Sequence, residues 1–172
     1  MKEGRIDNTD PLFITLGSNI NSLENVNSAI SLIREEFENI KVSNYYKTPA
    51  VLGPLNEDKQ EDYLNAAVLT MSELDPEFIK FKILRKIERR IGRIRSEDKF
   101  EARLIDLDIA IYGSKVVHIA NIAIPDPDIL QHAHVIFPLC DLDPDFIHPI
   151  TDEKLSEIKN NFDKRSIKLY ED

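Results

Sequence analysis

The segment Leu104–Tyr112 constrains the fold of this chain more than any other, because its side chains alternate with the period of a β-strand. The acidic residues Asp106 and Asp108 alternate there with a set of apolar residues, namely Ile105, Leu107, Ile109 and Ile111. Successive side chains of a strand point to opposite faces, so the apolar set is predicted to face a core. Both aspartates share the other face, about 6.5 Å apart along the strand.

Apolar runs and helical spacings alternate along the rest of the chain. Strands are predicted at Leu12–Leu16, 41–48, Tyr63–Met71 and 166–170, and helices at about 26–37, 76–92, 128–134 and 152–162. Several strand pairs are close in sequence, which favours an α+β fold with helices packed against a mostly antiparallel sheet. With 172 residues, the chain is predicted to be a polar tail at 1–10 followed by a single domain at 11–172.

The overall charge excludes several classes of protein. The net charge is −9, which argues against a protein that coats nucleic acid or an anionic membrane. The longest uncharged run, Pro11–Leu23, has 13 residues and is too short to span a membrane. Cys140 is the only cysteine, so an internal disulfide and a cysteine metal cluster are excluded. The N-terminus lacks the apolar core of a secretion signal, and a cytoplasmic protein is expected.

Positive charge is concentrated immediately before the two aspartates. Lys80–Arg103 contains ten basic and four acidic residues, a net charge of +6, which leaves −15 for the rest of the chain. Arginine binds phosphate oxygens, and Mg²⁺ binds carboxylates together with substrate phosphates. The pattern therefore indicates a site for a metal and a polyphosphate, although a solvated helix face and a half-exposed strand with two solvated aspartates would have the same pattern.

Further motifs occur in a characteristic order along residues 12–150. They are Leu16-Gly17-Ser18-Asn19, Tyr46-Lys47-Thr48-Pro49, Asp62-Tyr63-Leu64-Asn65, Gly92-Arg93-Ile94-Arg95 and Asp106-Leu107-Asp108-Ile109. In this order and spacing the chain resembles the 6-hydroxymethyl-7,8-dihydropterin pyrophosphokinase family. The resemblance implies a ferredoxin-like α+β fold, a site with two Mg²⁺ ions, and transfer of pyrophosphate from ATP to a pterin alcohol with release of AMP.

The resemblance also implies roles for individual residues. Asp106 and Asp108 match the metal ligands, and the matching catalytic arginines are Arg93, Arg95 and Arg103. The nucleotide-binding positions are Glu88, Arg95, Arg103 and His132. The pterin-binding positions are Thr48, Pro49, Tyr63, Asn65, Phe100 and His134.

Some positions depart from the family pattern. Asp126 and His132 stand where the family usually has a histidine and an arginine, and Glu101 places an acid near the expected phosphates. A diverged relative with another acceptor or with little activity is therefore the main alternative. A scaffold with a vestigial site and an RNA-binding module on a ferredoxin-like sheet are the others. The acidic pair disfavours the RNA-binding module, because without a metal it would repel phosphate.

Overall fold

The computed structural model describes residues 9–50, 61–93 and 103–171. Within these ranges the main sheet has six strands, β1 Asp10–Ser18, β2 Lys41–Val42, β3 Tyr46–Thr48, β4 Tyr63–Ser72, β5 Asp106–Tyr112 and β8 Lys168–Leu169. β6 Val117–Ile119 and β7 Ile122–Ile124 form a separate hairpin. The order across the sheet is β5-β1-β4-β3-β8, β2 also pairs with β4, and all of these pairs are antiparallel. The predicted α+β fold is confirmed.

Helices cover both faces of this sheet. On one face lie α1 Ser22–Glu36 and a second helix made of α2 Pro76–Phe78, a π-helical segment Ile79–Leu84 and α3 Arg85–Ile91, which follow one another without a break. We refer to these three segments together as the α2–α3 helix. On the other face lie α4 Ala133–Leu142 and α5 Leu155–Lys159. Each face buries its own apolar cluster, so the sheet forms the middle layer.

The region after Pro125 differs from the sequence-based expectation. The helix predicted at 128–134 is a 3₁₀ turn, Pro127–Leu130, and α4 then continues through Pro138. Six consecutive residues of α4, Val135 to Cys140, are buried. A helix buried on most sides shows no apolar period, and an internal proline normally predicts a helix end, so α4 could not be recognised from the sequence.

The predicted alternation along β5 holds only for its first half. Leu107 and Ile109 pack into the α1 cluster, but Ile111 lies in the α4 cluster. The cause is a register shift in the pairing with β1, where Phe13 pairs with Ile111 and the next residue, Ile14, pairs with Ile109. Such a β-bulge adds one residue to a strand and turns the following side chains to the opposite face.

Most of the predicted tail at 1–10 lies outside the described residues, and Asp10 already belongs to β1. Within the described ranges, no helix combines the length and the apolar character needed to cross a membrane.

Candidate functional site

A cavity of about 360 Å³ lies between the sheet and the start of α4, and it brings together residues from distant parts of the chain. Eight of the predicted site residues line it: Thr48, Pro49, Tyr63, Asn65, Arg103, Asp106, Asp108 and His134. Thr15, Gly17, Asp126 and Asp128 also contribute to the wall. The residues predicted to bind a metal and several of those predicted to bind the pterin therefore line one cavity.

The floor of the cavity is a row of residues paired across neighbouring strands. Gly17 of β1 pairs with Asn65 on one side and with Asp106 on the other. A Cβ atom at Gly17 would lie 3.4 Å from Oδ1 of Asn65 and 3.8 Å from Cδ1 of Tyr63. The missing side chain keeps the floor open between the amide and the carboxylate. β1 continues through Gly17 to Ser18, two residues beyond the predicted strand end at Leu16.

One wall presents a rigid amide. Asn65 is buried, and its Nδ2 donates to Oγ1 of Thr48 over 2.9 Å and to the carbonyl oxygen of Tyr46 over 3.3 Å. Both bonds fix the orientation of the amide plane. A fixed amide can form hydrogen bonds with a planar heterocycle that has donors and acceptors at its edge. Burial raises the pKa of the neighbouring Tyr63, so this side chain is a neutral wall at physiological pH.

The opposite wall holds a carboxylate between two arginines. Arg93 donates from Nη1 to Oδ1 of Asp106 over 2.5 Å, and Arg103 donates to Oδ2 of the same residue. Arg93 also bonds the buried carboxylate of Glu88 over 2.6 Å. Burial alone would raise the pKa of Asp106, but the two guanidinium groups hold that pKa below its usual range. Asp106 is therefore ionised, and the two arginines already compensate its negative charge.

The second aspartate of the pair has a different partner. Asp108 lies 2.8 Å from Nζ of Lys80, which comes from the π-helical segment. The side chain of Lys80 is 7% exposed, whereas that of Asp108 is 49% exposed. The backbone N–H of Ile109 also donates to Oδ1 of Asp108, over 2.9 Å. Lys80 belongs to the basic segment found in the sequence, but nothing in the sequence singled it out from its exposed neighbours.

Two polar residues at the end of β1 fix the chain that leads into β5. Asn19 bonds the backbone of Arg103 twice, since its N–H donates to the Arg103 carbonyl and its Oδ1 accepts from the Arg103 N–H over 2.7 Å. Oγ of the buried Ser18 donates to the carbonyl oxygen of Leu104 over 2.6 Å. Their sequence signal, polar residues after a strand, fits a turn equally well, so their positioning role was missed.

Asp126, which departs from the family pattern, lines the cavity, whereas Glu101, another departure, lies outside the described residues. Burial raises the pKa of Asp126 to about 6, and its carboxylate accepts a hydrogen bond from the N–H of Asp128. Burial and the nearby His132 lower the pKa of His134 to about 4. The rings of His132 and His134 stack with their centroids 5.1 Å apart. The neutral imidazole of His134 therefore stands at this wall, and an aspartate stands where a histidine was expected.

Five of the predicted site residues are not among the described residues that line the cavity, and one of them, Arg93, reaches it through its bond to Asp106. Arg95 and Phe100 are outside the described residues. Glu88 is 2% exposed and bonds Arg93 and the N–H of Leu107, so it reaches the site through those partners. His132 is next to the cavity through its stacking on His134. The roles expected for all site residues stay predictions.

The aspartate pair suits one kind of metal. Among the described residues, no three histidine, cysteine or acidic side chains are grouped closely enough to hold a metal ion by themselves. Mg²⁺ seldom uses such a cage, because it keeps several waters and takes one or two carboxylates together with substrate phosphates. Asp106 and Asp108 supply two carboxylates on one face beside phosphate-binding arginines. This donor set fits a magnesium ion that arrives with a polyphosphate.

Comparison with known proteins identifies relatives of the whole domain. The profile of the 7,8-dihydro-6-hydroxymethylpterin-pyrophosphokinase family matches residues 13–144. A 2-amino-4-hydroxy-6-hydroxymethyldihydropteridine pyrophosphokinase of Haemophilus influenzae is 31% identical over 160 residues, 91% of this chain and 96% of the relative. The folic acid synthesis protein fol1 of Pneumocystis carinii is 34% identical over 151 residues, but these are 87% of this chain and only 20% of that protein.

Solved structures show the same fold. The wild-type HPPK-DHPS protein of Plasmodium falciparum with pteroate superposes with a TM-score of 0.70 at 12% identity, over 89% of this chain and 44% of that one. The chain therefore spans less than half of that structure, as it spans a fifth of the Pneumocystis protein. The predicted ferredoxin-like arrangement is confirmed by this likeness.

Proposed function

Because the chain belongs to the 7,8-dihydro-6-hydroxymethylpterin-pyrophosphokinase family, we propose that it transfers pyrophosphate from ATP to the hydroxymethyl group of 6-hydroxymethyl-7,8-dihydropterin, with release of AMP. One observation supports this most directly: the fixed amide of Asn65 and the arginine-bound carboxylate of Asp106 face the same cavity across Gly17. The cavity volume of about 360 Å³ lies within the range of small-molecule sites.

The polar wall would orient the acceptor. Asn65, held by Thr48, offers amide atoms to the heteroatom edge of the pterin ring, and Tyr63 and His134 offer ring faces and edges for contact. Pro49 completes this wall without adding a charge. An acceptor bound in this way has its hydroxymethyl group on the side of the aspartates, where the phosphate donor is required.

The charged wall would bind the donor. Arg93 and Arg103 carry permanently charged guanidinium groups, which match phosphate oxygens in a bidentate way. Both groups can exchange the Asp106 carboxylate for the ATP phosphates. Asp106 and Asp108 would hold two Mg²⁺ ions, which when bound neutralise the charge that develops on the transferred pyrophosphoryl group. The chain's own contribution is to align the hydroxymethyl oxygen with the β-phosphorus and to hold counter-charges in place.

The test is direct measurement of AMP. Purified protein is incubated with ATP, Mg²⁺ and the hydroxymethyl pterin, and AMP and the pterin diphosphate are quantified by chromatography. The proposal expects equal amounts of both products, and no AMP without the pterin. A folded protein that forms neither product with the pterin would refute it.

A related transferase with a different acceptor alcohol is the second candidate, and Asp126 favours it. This residue lines the cavity with an unusually high carboxylate pKa, where the family usually has a histidine. The double variant Asp126→His with His132→Arg restores the family pattern. A gain in the pterin-dependent rate supports the pterin acceptor, whereas an unchanged or lower rate favours another acceptor.

A further inference from the structure

Both backbone polar groups of Leu107, the residue between the two aspartates, are bonded by buried side chains of the α2–α3 helix. Oε1 of Glu88 accepts from the Leu107 N–H over 3.0 Å, and Nζ of Lys80 donates to the Leu107 carbonyl over 2.9 Å. Among the described strands β5 lies at the edge of the sheet, so its outward N–H and C=O groups have no partner in another described strand. Lys80 and Glu88 take the place of that missing strand.

The π-helical segment helps to place Lys80 at this edge. The buried positions of the helix come in adjacent pairs that repeat every four residues, namely Ile79 with Lys80, Ile83 with Leu84, and Ile87 with Glu88. A repeat of four exceeds the 3.6 residues of an α-helical turn, and the wider turn of a π-helix accommodates the difference. Lys80 and Glu88 are thereby kept on the same face as the apolar residues and reach the same strand.

Lys80 brings a positive charge to Asp108 as well as a hydrogen bond to Leu107. Its Nζ lies 2.8 Å from Oδ1 of Asp108, and the amine is almost completely buried. The other aspartate, Asp106, is bonded by Arg93 and Arg103. Each carboxylate of the pair thus has basic partners of its own. Arg103, whose side chain is 31% exposed, can turn to a phosphate, whereas the buried amine of Lys80 is bonded to the backbone of β5.

We propose that Lys80 is the resident counter-cation of Asp108, a positioning residue that disfavours binding of a lone divalent cation and favours binding of the cation together with a polyphosphate. The inference rests on the proposed function only in taking Asp106 and Asp108 as metal ligands. A dipositive ion at Asp108 is repelled by the ammonium group of Lys80, whereas a metal–ATP complex carries a net negative charge and is attracted by it. The same lysine therefore has effects of opposite sign on the two ligands.

Substitution of Lys80 by methionine tests this reasoning, because it keeps the length and removes the charge. We expect Mn²⁺ alone, titrated by electron paramagnetic resonance, to bind Lys80→Met about tenfold more tightly than wild type, since Asp108 is half exposed and solvent screens part of the repulsion. The complex of Mn²⁺ with a non-hydrolysable α,β-methylene ATP analogue should bind severalfold more weakly. A purely structural role of Lys80 would weaken both.

Three further variants complete the test. Lys82→Met removes the same charge from an exposed position two residues further along and should leave both affinities unchanged. Lys80→Arg keeps the charge and should bind both ligands like wild type. Lys80→Gln is a second uncharged variant, which should behave like Lys80→Met.

The proposal is overturned if the uncharged variants bind Mn²⁺ alone no more tightly than wild type. It is also overturned if only Lys80→Arg folds, because the lysine would then serve the fold and not the ligand. These titrations contain no pterin, so they separate this inference from the proposed reaction. A protein inactive on the pterin can still show the expected changes in Mn²⁺ affinity.

Discussion

Arg93 donates to Asp106 over 2.5 Å, so the carboxylate expected to bind a metal is held by an arginine expected to bind phosphate. Arg103 occupies the other oxygen of the same carboxylate. The three charged groups stabilise one another, whereas a buried carboxylate without a partner would be costly. When a metal and a polyphosphate bind, these contacts can be replaced one for one. The carboxylate then binds the metal, and the guanidinium groups bind the phosphates.

The exchange predicts two opposite effects of Asp106→Asn. With Mg²⁺, AMP formation should fall by at least about 100-fold, because a metal ligand is lost from the charge-stabilising site. With EDTA in place of Mg²⁺, ATP should bind about tenfold more tightly, since the negative charge beside both arginines is removed. Rate assays and calorimetric titration check the two effects. Asp62→Asn, at an exposed position outside the cavity, should change neither. Full activity of Asp106→Asn would exclude a metal at this residue.

Gly17 is predicted to control access to the cavity floor. A Cβ atom at this position meets Asn65 and Tyr63 at ordinary contact distances, so Gly17→Ala should fold with a change in the free energy of unfolding below about 1 kcal/mol. The added methyl group would nevertheless lie under the heterocycle. We expect KM for the pterin to rise about tenfold while KM for ATP changes little. Equal changes in both constants would contradict the assignment of this floor to the pterin.

Asp126 is predicted to destabilise the unliganded protein at neutral pH. Its pKa is raised to about 6 by burial, from 3.8, so the folded protein holds the proton more tightly than the unfolded chain does. Stability from this group is present below pH 4 and is lost as the pH rises through about 6. Asp126→Asn should therefore raise the free energy of unfolding by about 2 kcal/mol at pH 7.5.

Urea denaturation of the metal-free protein at pH 4 and at pH 7.5 measures this difference. The gain from Asp126→Asn should disappear at pH 4, where the aspartate is itself neutral. The Asp62→Asn variant shows the effect of removing an exposed aspartate at each pH. A gain that is equal at both pH values would show that titration of Asp126 is not its cause.

His148 is predicted to make the C-terminal region sensitive to acid. The ring is buried, its Nδ1 accepts from the N–H groups of Ile150 and Thr151, and its Nε2 has no hydrogen-bond partner among the described residues. Burial lowers the pKa of His148 below its usual 6.5, so the unfolded chain binds the proton more readily. The free energy of unfolding should fall as the pH drops below about 6.5, because protonation of Nδ1 would break both bonds.

His148→Asn offers an acceptor that does not titrate in this range and should flatten the pH dependence of unfolding between pH 7 and pH 5. Denaturant titrations at several pH values are the measurement. His118→Asn, at an exposed histidine, serves as the matched control and should keep the wild-type dependence. An unchanged slope in His148→Asn would assign the acid sensitivity to other groups.

Much of the site could be predicted because its residues lie in short motifs whose order is visible in the chain. The alternation of acidic and apolar residues predicts Asp106 and Asp108 as a pair on one face of a strand. The family resemblance, which spans most of the domain, predicts Asn65 and Thr48 as site residues. Lys80 could not be distinguished from Lys82 in the same way. One is buried and the other exposed, and this difference depends on which face of the helix packs on the sheet. The bulge that turns Ile111 to the other face depends likewise on pairing with β1.

The sequence by itself determined the α+β class, the acidic pair and the arginines beside it, because local periodicity and charge depend only on residues that are neighbours in the chain. Only the tertiary structure decided that Arg93 and Arg103 hold Asp106, that Lys80 holds Asp108, and that Asn19 fixes the backbone of Arg103. These contacts join residues far apart in the chain. Their partners are chosen by which groups become buried together and must satisfy one another's charges and hydrogen bonds, a condition that exists only once the sheet and helices have packed.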